Sequence, residues 1–303
     1  MPDAAFRAVA LAFGALVLAL IAAMVAVMVQ GSVHAIQRFG LGFLSGTLWS
    51  PNDRIFGALP FIYGTVVSSL LALLIATPIG LAVAIFLVEM APHHVSNAIS
   101  VLVELLAAIP SVLLGLWGIF VMVPFLQRTV EPALQAVFPG VPLFEGAPYG
   151  VGLLAAGLIL AIMIVPTIVA ISRDVMATVP VAQREAMLAL GATPWETTRR
   201  AVLPYATSGI LGAVVLGLGR ALGETMAVTM VIGNRPVISP SLLEPSYTMA
   251  SVLANEFTDA TYDLYVSALI EIGLVLFGIT ILMNVAARLL VRRTARVSGR
   301  GER

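Results

Sequence analysis

The sequence predicts an all-α membrane protein with six transmembrane helices, because its composition and its long apolar segments both suit a lipid environment. Hydrophobic residues make up 60% of the 303 residues and charged residues only 11%, with a mean hydropathy of +1.03. Ordinary soluble domains carry about 25% charged residues. A helix needs about 20 mostly apolar residues to cross a bilayer. Six stretches meet that length, within what we predict to be a single transmembrane domain over 1–303: 8–29, 59–88, 99–125, 149–172, 205–232 and 264–287.

The first apolar stretch predicts an uncleaved helix rather than a signal peptide. Its apolar run is longer than the roughly 7 to 15 residues of a secretory signal. The residues that follow it, Gln30, Gly31 and Ser32, do not form a cleavage site of the A-x-A type. We therefore count this stretch as the first of the six spans.

The arginines predict the orientation of the spans, since basic residues concentrate in short cytoplasmic loops. With the N-terminus inside, the inner segments hold eleven arginines and the outer segments four, and Arg220 lies within the fifth span. Both termini, the segment 173–204 and the basic tail 288–303 are therefore predicted to be cytoplasmic. The tail has a composition that favours contact with anionic lipid headgroups. The outer segment 233–263 is acidic, which suits a protein partner better than an anion, although a solvated loop is the default interpretation.

The chain contains no lysine and no cysteine, and their absence excludes several kinds of catalytic and binding site. All sixteen basic residues are arginine, whereas a P-loop needs a lysine to reach the nucleotide phosphates. The lack of cysteine excludes disulfides, thiolate nucleophiles and Cys-ligated zinc. The histidines, His34, His93 and His94, do not have the spacing of a helical metal site. The sequence therefore predicts a chain that is not itself an enzyme and holds no metal or cofactor.

The segment 184–204, REAMLALGATPWETTRRAVLP, is polar and rich in arginine although it lies between two apolar spans. We interpret it as a docking segment for a cytosolic partner, folded as a short helix, a turn and a second helix. Its spacing, in which Glu185 and Ala186 are followed by Gly191, resembles the coupling motif (EAA motif) of ABC importer permeases. Met187 stands where that motif usually has a small residue. The resemblance implies that Glu185, Ala186 and Gly191 couple the chain to an ATPase. We expect the small residues Ala186 and Gly191 to permit the close approach of that partner.

The fifth span contains two charged residues, Arg220 and Glu224, in the segment GLGRALGETMAV. Residues four apart share one face of a continuous helix, so we predict that the two side chains are neighbours. Ionisable residues inside a membrane are costly and usually face a bundle interior or an aqueous path. A guanidinium matches the oxygens of phosphate, which favours an anion path in which Glu224 holds Arg220 while no substrate is bound. From these residues alone, an intrahelical ion pair that only stabilises packing is an equally good explanation.

Four segments of the chain form an ordered set. They are FGALPFIYGTVVSS (56–69), ELLAAIPSVLLGLWGIF (104–120), the segment 184–204 and GRALGETMAVTMVIGN (219–234). Together they resemble the permeases of phosphate-specific ABC importers, of the PstC type, and the likeness extends over most of the chain. The resemblance implies the type I importer (MetI-like) fold and an association of Arg220 and Glu224 with transport.

The same resemblance implies the setting in which the chain works. It is expected to be the permease subunit of an importer of inorganic phosphate in a bacterial inner membrane, powered by a separate ATPase. The implied partners are a sister permease of the PstA type, two copies of an ATPase of the PstB type and a periplasmic phosphate-binding protein of the PstS type. ATP and Mg²⁺ would be bound by the ATPase.

Alternative functions are weighed against this one. Permeases for sulfate or molybdate have a similar RALGE segment, but they commonly continue with Phe-Gly where this chain has Thr225 and Met226. A secondary anion transporter would use Arg220 and Glu224 without an ATPase, and it would not need the segment 184–204. An intramembrane enzyme is the weakest alternative, because neither a metal cluster nor a Ser/His pair is visible within the spans.

Two further acids, Glu104 and Glu271, are predicted to lie within the third and sixth spans. With Glu224 they would outnumber Arg220 three to one, and a net negative path suits phosphate poorly. We therefore assign both acids interface or structural roles and leave them out of the predicted site.

Overall fold

The computed structural model describes the backbone of residues 2–298 and the side chains of residues 6–289, so most of the predicted tail 288–303 lies outside the described side chains. The described chain is helical apart from loops and one short antiparallel hairpin, whose strands β1 and β2 pair Trp49 with Phe56. The elements are α1 (Pro2–Phe39), α2 (Gly42–Ser45), β1 (Trp49–Ser50), β2 (Ile55–Phe56), α3 (Leu59–Met90), α4 (His93–Ala107), α5 (Ser111–Val137), a 3₁₀ turn (Pro142–Phe144), α6 (Leu153–Ala177), α7 (Val181–Ala189), α8 (Pro194–Gly223), α9 (Met226–Val231), α10 (Met249–Glu256) and α11 (Asp263–Ser298).

Six of these helices are long and apolar enough to cross a membrane: α1, α3, α5, α6, α8 and α11. The predicted fold class and the number of spans are confirmed. The first helix continues to Phe39, well past the predicted end at residue 29. Three of the spans include π-helical turns. These turns lie at the end of α3, in the middle of α5 and near the start of α8.

The predicted bounds of the third span, 99–125, are wrong. The helix α4 ends at Ala107, and α5 begins at Ser111 and runs to Val137. Pro110 has an extended backbone (φ −58°, ψ 136°), and a proline disfavours the helical conformation in the residue before it. One helix therefore ends before Pro110, and another begins after it. The polar residues of α4 recur at helical spacing and form one face of a separate amphipathic helix: His93, Ser96, Asn97, Ser100 and Glu104.

The helix α6 forms the centre of the bundle, and it has the largest buried share of the six spans. It packs against α3 and α8, and glycine allows the closest approach. A Cβ added at Gly80 on α3 would lie 2.8 Å from Cγ2 of Ile168 on α6, which is closer than packed carbon atoms allow. Side chains on α6 are therefore held by tight packing on two sides.

An aromatic cluster connects the hairpin to the last two helices at one end of the bundle. Trp49 packs edge-on against Phe56 and Phe61. Its indole Nε1 donates a hydrogen bond of 2.8 Å to Oε2 of Glu256, and the hydroxyl of Tyr265 donates another of 2.7 Å to the same oxygen. One carboxylate therefore joins the hairpin to α10 and α11.

Candidate functional site

The fifth span is broken at the predicted site. The helix α8 ends at Gly223, and Glu224 has an extended backbone (φ −71°, ψ 129°) before α9 begins at Met226. The predicted span 205–232 is therefore two helices, and the prediction that Arg220 and Glu224 lie on one continuous helical face is wrong. Glycine is the poorest helix former after proline, which helps to explain why the helix ends at Gly223.

Glu224 faces the second of these two helices. Its Oε1 accepts a hydrogen bond of 3.2 Å from the backbone N–H of Ala227, in the first turn of α9. The first N–H groups of a helix have no partner within the helix, and they favour a negative charge nearby. The half-buried Glu224 side chain therefore stabilises the start of α9 and, with it, the break.

Arg220 lies in the last turn of α8 and is exposed. Its Nη1 donates a hydrogen bond of 3.3 Å to the hydroxyl oxygen of Thr167 on α6. The ion pairs formed between described residues do not include one between Arg220 and Glu224. The prediction that Glu224 holds the guanidinium in the empty protein therefore does not describe this conformation. The positive charge also lies at a helix C-terminus, which the helix dipole favours.

The break opens beside an apolar crevice of about 500 Å³. Gly223 and Thr225, on either side of Glu224, line it together with residues of α1, α10 and α11. Those residues include Met28 on α1, Leu253 on α10 and Ile270 on α11. The interrupted fifth span therefore borders a space between four elements of the bundle.

The two further acids occupy different environments. Glu104 lies on α4 rather than in a span, is 62% exposed, and pairs with Arg173 at 3.7 Å. Glu271 lies on α11, is only 6% exposed, and its Oε2 has no hydrogen-bond partner among the described residues. Neither acid meets Arg220 in an ion pair within the described part of the chain. The structure thus keeps both apart from the charge at the break.

The segment 184–204 contains a helix, a turn and the start of a second helix. Glu185 and Ala186 lie on α7 and are exposed. Gly191 lies in the turn with a φ of +84°, a conformation that only glycine adopts without strain, and a Cβ added there would meet no atom within 4 Å. The turn itself, rather than a close neighbour within the chain, requires this glycine.

The second helix of this segment begins with a capping box. The Thr193 hydroxyl accepts a hydrogen bond of 3.3 Å from the backbone N–H of Glu196, and the Glu196 carboxylate accepts one of 2.9 Å from the backbone N–H of Thr193. The sequence Thr-Pro-Trp-Glu carries this signal, since a Thr with a Glu three residues later is the signature of a helix start. It marks the start of α8 at Pro194, eleven residues before the predicted span.

Arg184, in the same segment, makes contacts that the sequence did not indicate. Its guanidinium donates to the Glu89 carboxylate at the end of α3 and to two backbone carbonyls at the end of α6. Glu89 and Arg184 are 95 residues apart, so no local pattern reveals the pair.

No group of three or more His, Asp or Glu side chains that could hold a metal ion occurs among the described residues. The features that the structure does provide are six apolar helices, a charged residue at a break in one of them, and an exposed helix and turn beside the bundle. Together these features are those of an integral membrane component of a transport system.

Comparisons with known proteins place the chain within this class. A family model described as "Binding-protein-dependent transport system inner membrane component" matches residues 76–296. The chain is 49% identical to the phosphate transport system permease protein PstC of Mesorhizobium japonicum, over 97% of this chain and 91% of that protein. It is 35% identical to the probable phosphate transport system permease protein PstC of Methanocaldococcus jannaschii, over 84% and 82% of the two chains. The chain belongs to the family of binding-protein-dependent transport system inner membrane components, and within it to the PstC type.

Solved structures support the fold. A chain of the MetNI methionine ABC transporter in an inward-facing conformation matches with a TM-score of 0.59 at 20% identity, over 77% of this chain and 94% of that one. A chain of the bacterial alginate ABC transporter matches with a TM-score of 0.61 at 16% identity, over 93% and 94% of the two chains. The predicted MetI-like fold and the resemblance to PstC-type permeases are both confirmed.

Proposed function

We propose that this chain is the membrane-spanning permease subunit of an ATP-driven importer of inorganic phosphate. The similarity to PstC proteins extends over nearly the whole of both chains, which supports a shared substrate as well as a shared fold. The relatives named above are phosphate permeases, and this does not favour the alternative of a sulfate or molybdate permease. The docking segment 184–204 and the family membership do not favour an ATPase-independent transporter.

One observation carries the proposed path: the Arg220 guanidinium is exposed at the break in the fifth span and forms no ion pair with Glu224. A guanidinium offers five donors in a fixed fork that suits phosphate oxygens. Thr167 takes one of those donors, through a single long hydrogen bond. Arg220 therefore lines the path and contacts the anion, and Glu224 shapes the path by stabilising the break.

The proposed assembly contains a sister permease of the PstA type, two copies of an ATPase of the PstB type, and a periplasmic phosphate-binding protein of the PstS type. The ATPase binds ATP and Mg²⁺. The distribution of arginines supports an inner-membrane topology with both termini in the cytoplasm. The acidic outer segment 233–263 would then face the binding protein.

The exposed apolar side chains around α7 support its role as the docking segment for the ATPase. Leu190 is 84% exposed and Trp195 is 56% exposed, and both lie close to Glu185 and Ala186 in the sequence. Exposed large apolar side chains that cluster on a surface mark sites of protein interaction. In this proposal α7 and the Gly191 turn lie in a groove of the ATPase and move with it when ATP binds.

Transport by a reconstituted complex tests the proposed function. The chain is purified with its sister permease and ATPase, placed in lipid vesicles, and supplied with ATP and a binding protein loaded with phosphate, sulfate or molybdate. We expect ATP-dependent uptake of phosphate and no ATP hydrolysis by the isolated chain. Uptake of sulfate or molybdate in preference to phosphate would contradict the substrate, and hydrolysis by the pure chain would contradict its role as a permease alone.

A further inference from the structure

The Arg184 side chain connects α7 to two different spans. Its Nε and Nη2 donate hydrogen bonds of 3.2 and 2.9 Å to Oε1 of Glu89, in the π-helical turn that ends α3. Its Nη2 also donates a bond of 2.9 Å to the carbonyl of Met176 near the end of α6, and its Nη1 donates to the carbonyl of Val179 just beyond it. All three guanidinium nitrogens are therefore used, and they bring together the ends of α3, α6 and α7.

This connection is made on the protected side of α7. Arg184 is 19% exposed and Glu89 is 12% exposed, so the ion pair is partly shielded from water. Shielded pairs with several hydrogen bonds depend little on salt, and removal of one partner leaves the other charge uncompensated. The Arg184–Glu89 contact is thus of a different kind from the exposed pair between Arg173 and Glu104.

The rest of α7 has few other means of attachment to the spans. None of its side chains is fully buried, and apart from Arg184 only Met187 is half-buried. The exposed side chains of α7 include Glu185 and Ala186, which belong to the proposed ATPase surface. One side of the helix is therefore available to a partner, while on the other side α7 packs against the start of α8 and Arg184 provides its side-chain hydrogen bonds to the ends of α3 and α6.

We propose that Arg184 is the positioning residue through which α7 moves α3 and α6 when the ATPase closes. This inference rests on the proposed function, because it assigns a route for the movement that drives transport. The two carbonyls fix α7 to the end of α6, and Glu89 fixes it to the end of α3. Movement of α7 therefore reaches two spans at once, and α6 carries Thr167, the partner of Arg220.

Four variants separate this role from a general need for positive charge. Arg184→Ala removes every contact, whereas Arg184→Lys keeps the charge but cannot reach all three acceptors with one nitrogen. Glu89→Gln keeps an acceptor oxygen and removes the charge. The control is Arg7→Ala, since Arg7 lies near the start of α1 on the side predicted to be cytoplasmic, is exposed, and forms no hydrogen bond through its side chain with the described residues.

The first measurement requires no transport. Because the chain lacks cysteine, spin labels are placed at Ala189→Cys on α7 and His94→Cys on α4, two exposed positions. Pulsed electron spin resonance then gives the distance distribution in the full chain purified without the ATPase, so that the label on α7 does not lie in the proposed ATPase groove. We expect a narrow distribution in the parent and in Arg7→Ala, a broad one in Arg184→Ala, and an intermediate one in Arg184→Lys and Glu89→Gln. Equal distributions in the parent and Arg184→Ala would overturn the positioning role.

The second measurement is the amount of phosphate imported per ATP hydrolysed, with co-purification of the ATPase checked in parallel. In Arg184→Ala we expect this ratio to fall by at least about fivefold, the lower end of typical coupling between sites, while the ATPase still co-purifies. An unchanged ratio in Arg184→Ala with a broadened distance distribution would contradict transmission through this residue. If the parental complex imports no phosphate, the proposed function fails, and the label distances still decide whether Arg184 positions α7.

Discussion

Thr167 on α6 accepts a hydrogen bond of 3.3 Å from Nη1 of Arg220 on α8. The bond links the most buried span of the bundle to the last turn of α8, just before the break in the fifth span. Because α6 is closely packed, the Thr167 hydroxyl is held in place and orients the guanidinium. The Arg220 side chain is therefore directed toward α6, whereas the Glu224 side chain is directed toward α9.

Thr167→Val should weaken transport modestly, because the replacement keeps the shape and removes one acceptor of a long, exposed bond. We expect the concentration of loaded binding protein that gives half-maximal uptake to rise by no more than about tenfold, the loss of one such bond. Thr207→Val is the matched control, since its hydroxyl donates only to the carbonyl of Leu203 on its own helix. Equal uptake curves for the two variants would argue against an orienting role for Thr167.

Arg220→Ala should reduce phosphate uptake by at least about tenfold, because a charge-assisted hydrogen bond to the anion contributes about 1.5–3 kcal/mol. Arg220→Lys should give an intermediate rate, since it keeps the charge and loses the planar fork. Uptake into vesicles is the measurement, with assembly of the complex checked beside it. Arg7→Ala, a change to another exposed arginine near the start of α1, is the control. Parental uptake by a fully assembled Arg220→Ala complex would show that the residue is only structural.

Glu224→Gln and Glu224→Ala should differ, because the structure assigns this side chain the role of a hydrogen-bond acceptor for Ala227. Glutamine keeps an oxygen for that N–H, so we expect uptake close to the parental rate. Alanine loses this hydrogen bond, which contributes about 1 kcal/mol, and should lower both stability and uptake. If the two variants lose uptake equally, the charge of Glu224 matters rather than its hydrogen bond.

Gly191→Val should impair both binding of the ATPase and uptake, because the turn requires a φ of +84°. This conformation costs a residue with a side chain about 1–2 kcal/mol. Gly191→Asn should be tolerated much better, since asparagine adopts positive φ more readily than other residues. The amount of ATPase that co-purifies with each variant is the direct test. Equal loss in both variants would show that the partner requires a small residue here, as the sequence alone suggested.

Glu256→Ala should destabilise the folded chain by about 2 kcal/mol or more, because it removes the acceptor of two hydrogen bonds to a charged group. Trp49 and Tyr265 both donate to this carboxylate. Glu256→Gln should cost less, since it retains one acceptor oxygen. Thermal unfolding in detergent is the measurement, with Asp259→Ala at an exposed neighbouring acid as the control. Equal midpoints for Glu256→Ala and the control would contradict this role of the cluster.

The number of spans could be predicted from the sequence because the length of an apolar run directly reflects the thickness of the bilayer. The break at Gly223 was not predicted, since 205–232 is long enough for one continuous span and a hydrogen bond from Ala227 to Glu224 stabilises the start of α9. The amphipathic helix α4 was visible in principle. Its polar spacing from His93 to Glu104 was obscured because the apolar residues of the following span were read together with it.

The geometry predicted around Arg220 and Glu224 was wrong, and the roles of the predicted site residues stay predictions. Arg220 and Glu224 do flank the break, yet their expected contact depended on a continuous helix. Gly191 was expected to allow close approach of a partner, whereas the structure requires it for the turn. Arg184 was missed because its partner Glu89 belongs to a distant part of the chain.

The exposed Leu190 and Trp195 also bear on how the cell controls the amount of this subunit. Until the ATPase covers them, as the proposed docking requires, these side chains are available to chaperones and proteases that recognise apolar surface. A permease made in excess of its ATPase should therefore be degraded faster than an assembled one. The same surface that couples the complex would in this way keep the two subunits in proportion, and a pulse-chase measurement of the half-life of the chain, with and without the ATPase, would show it.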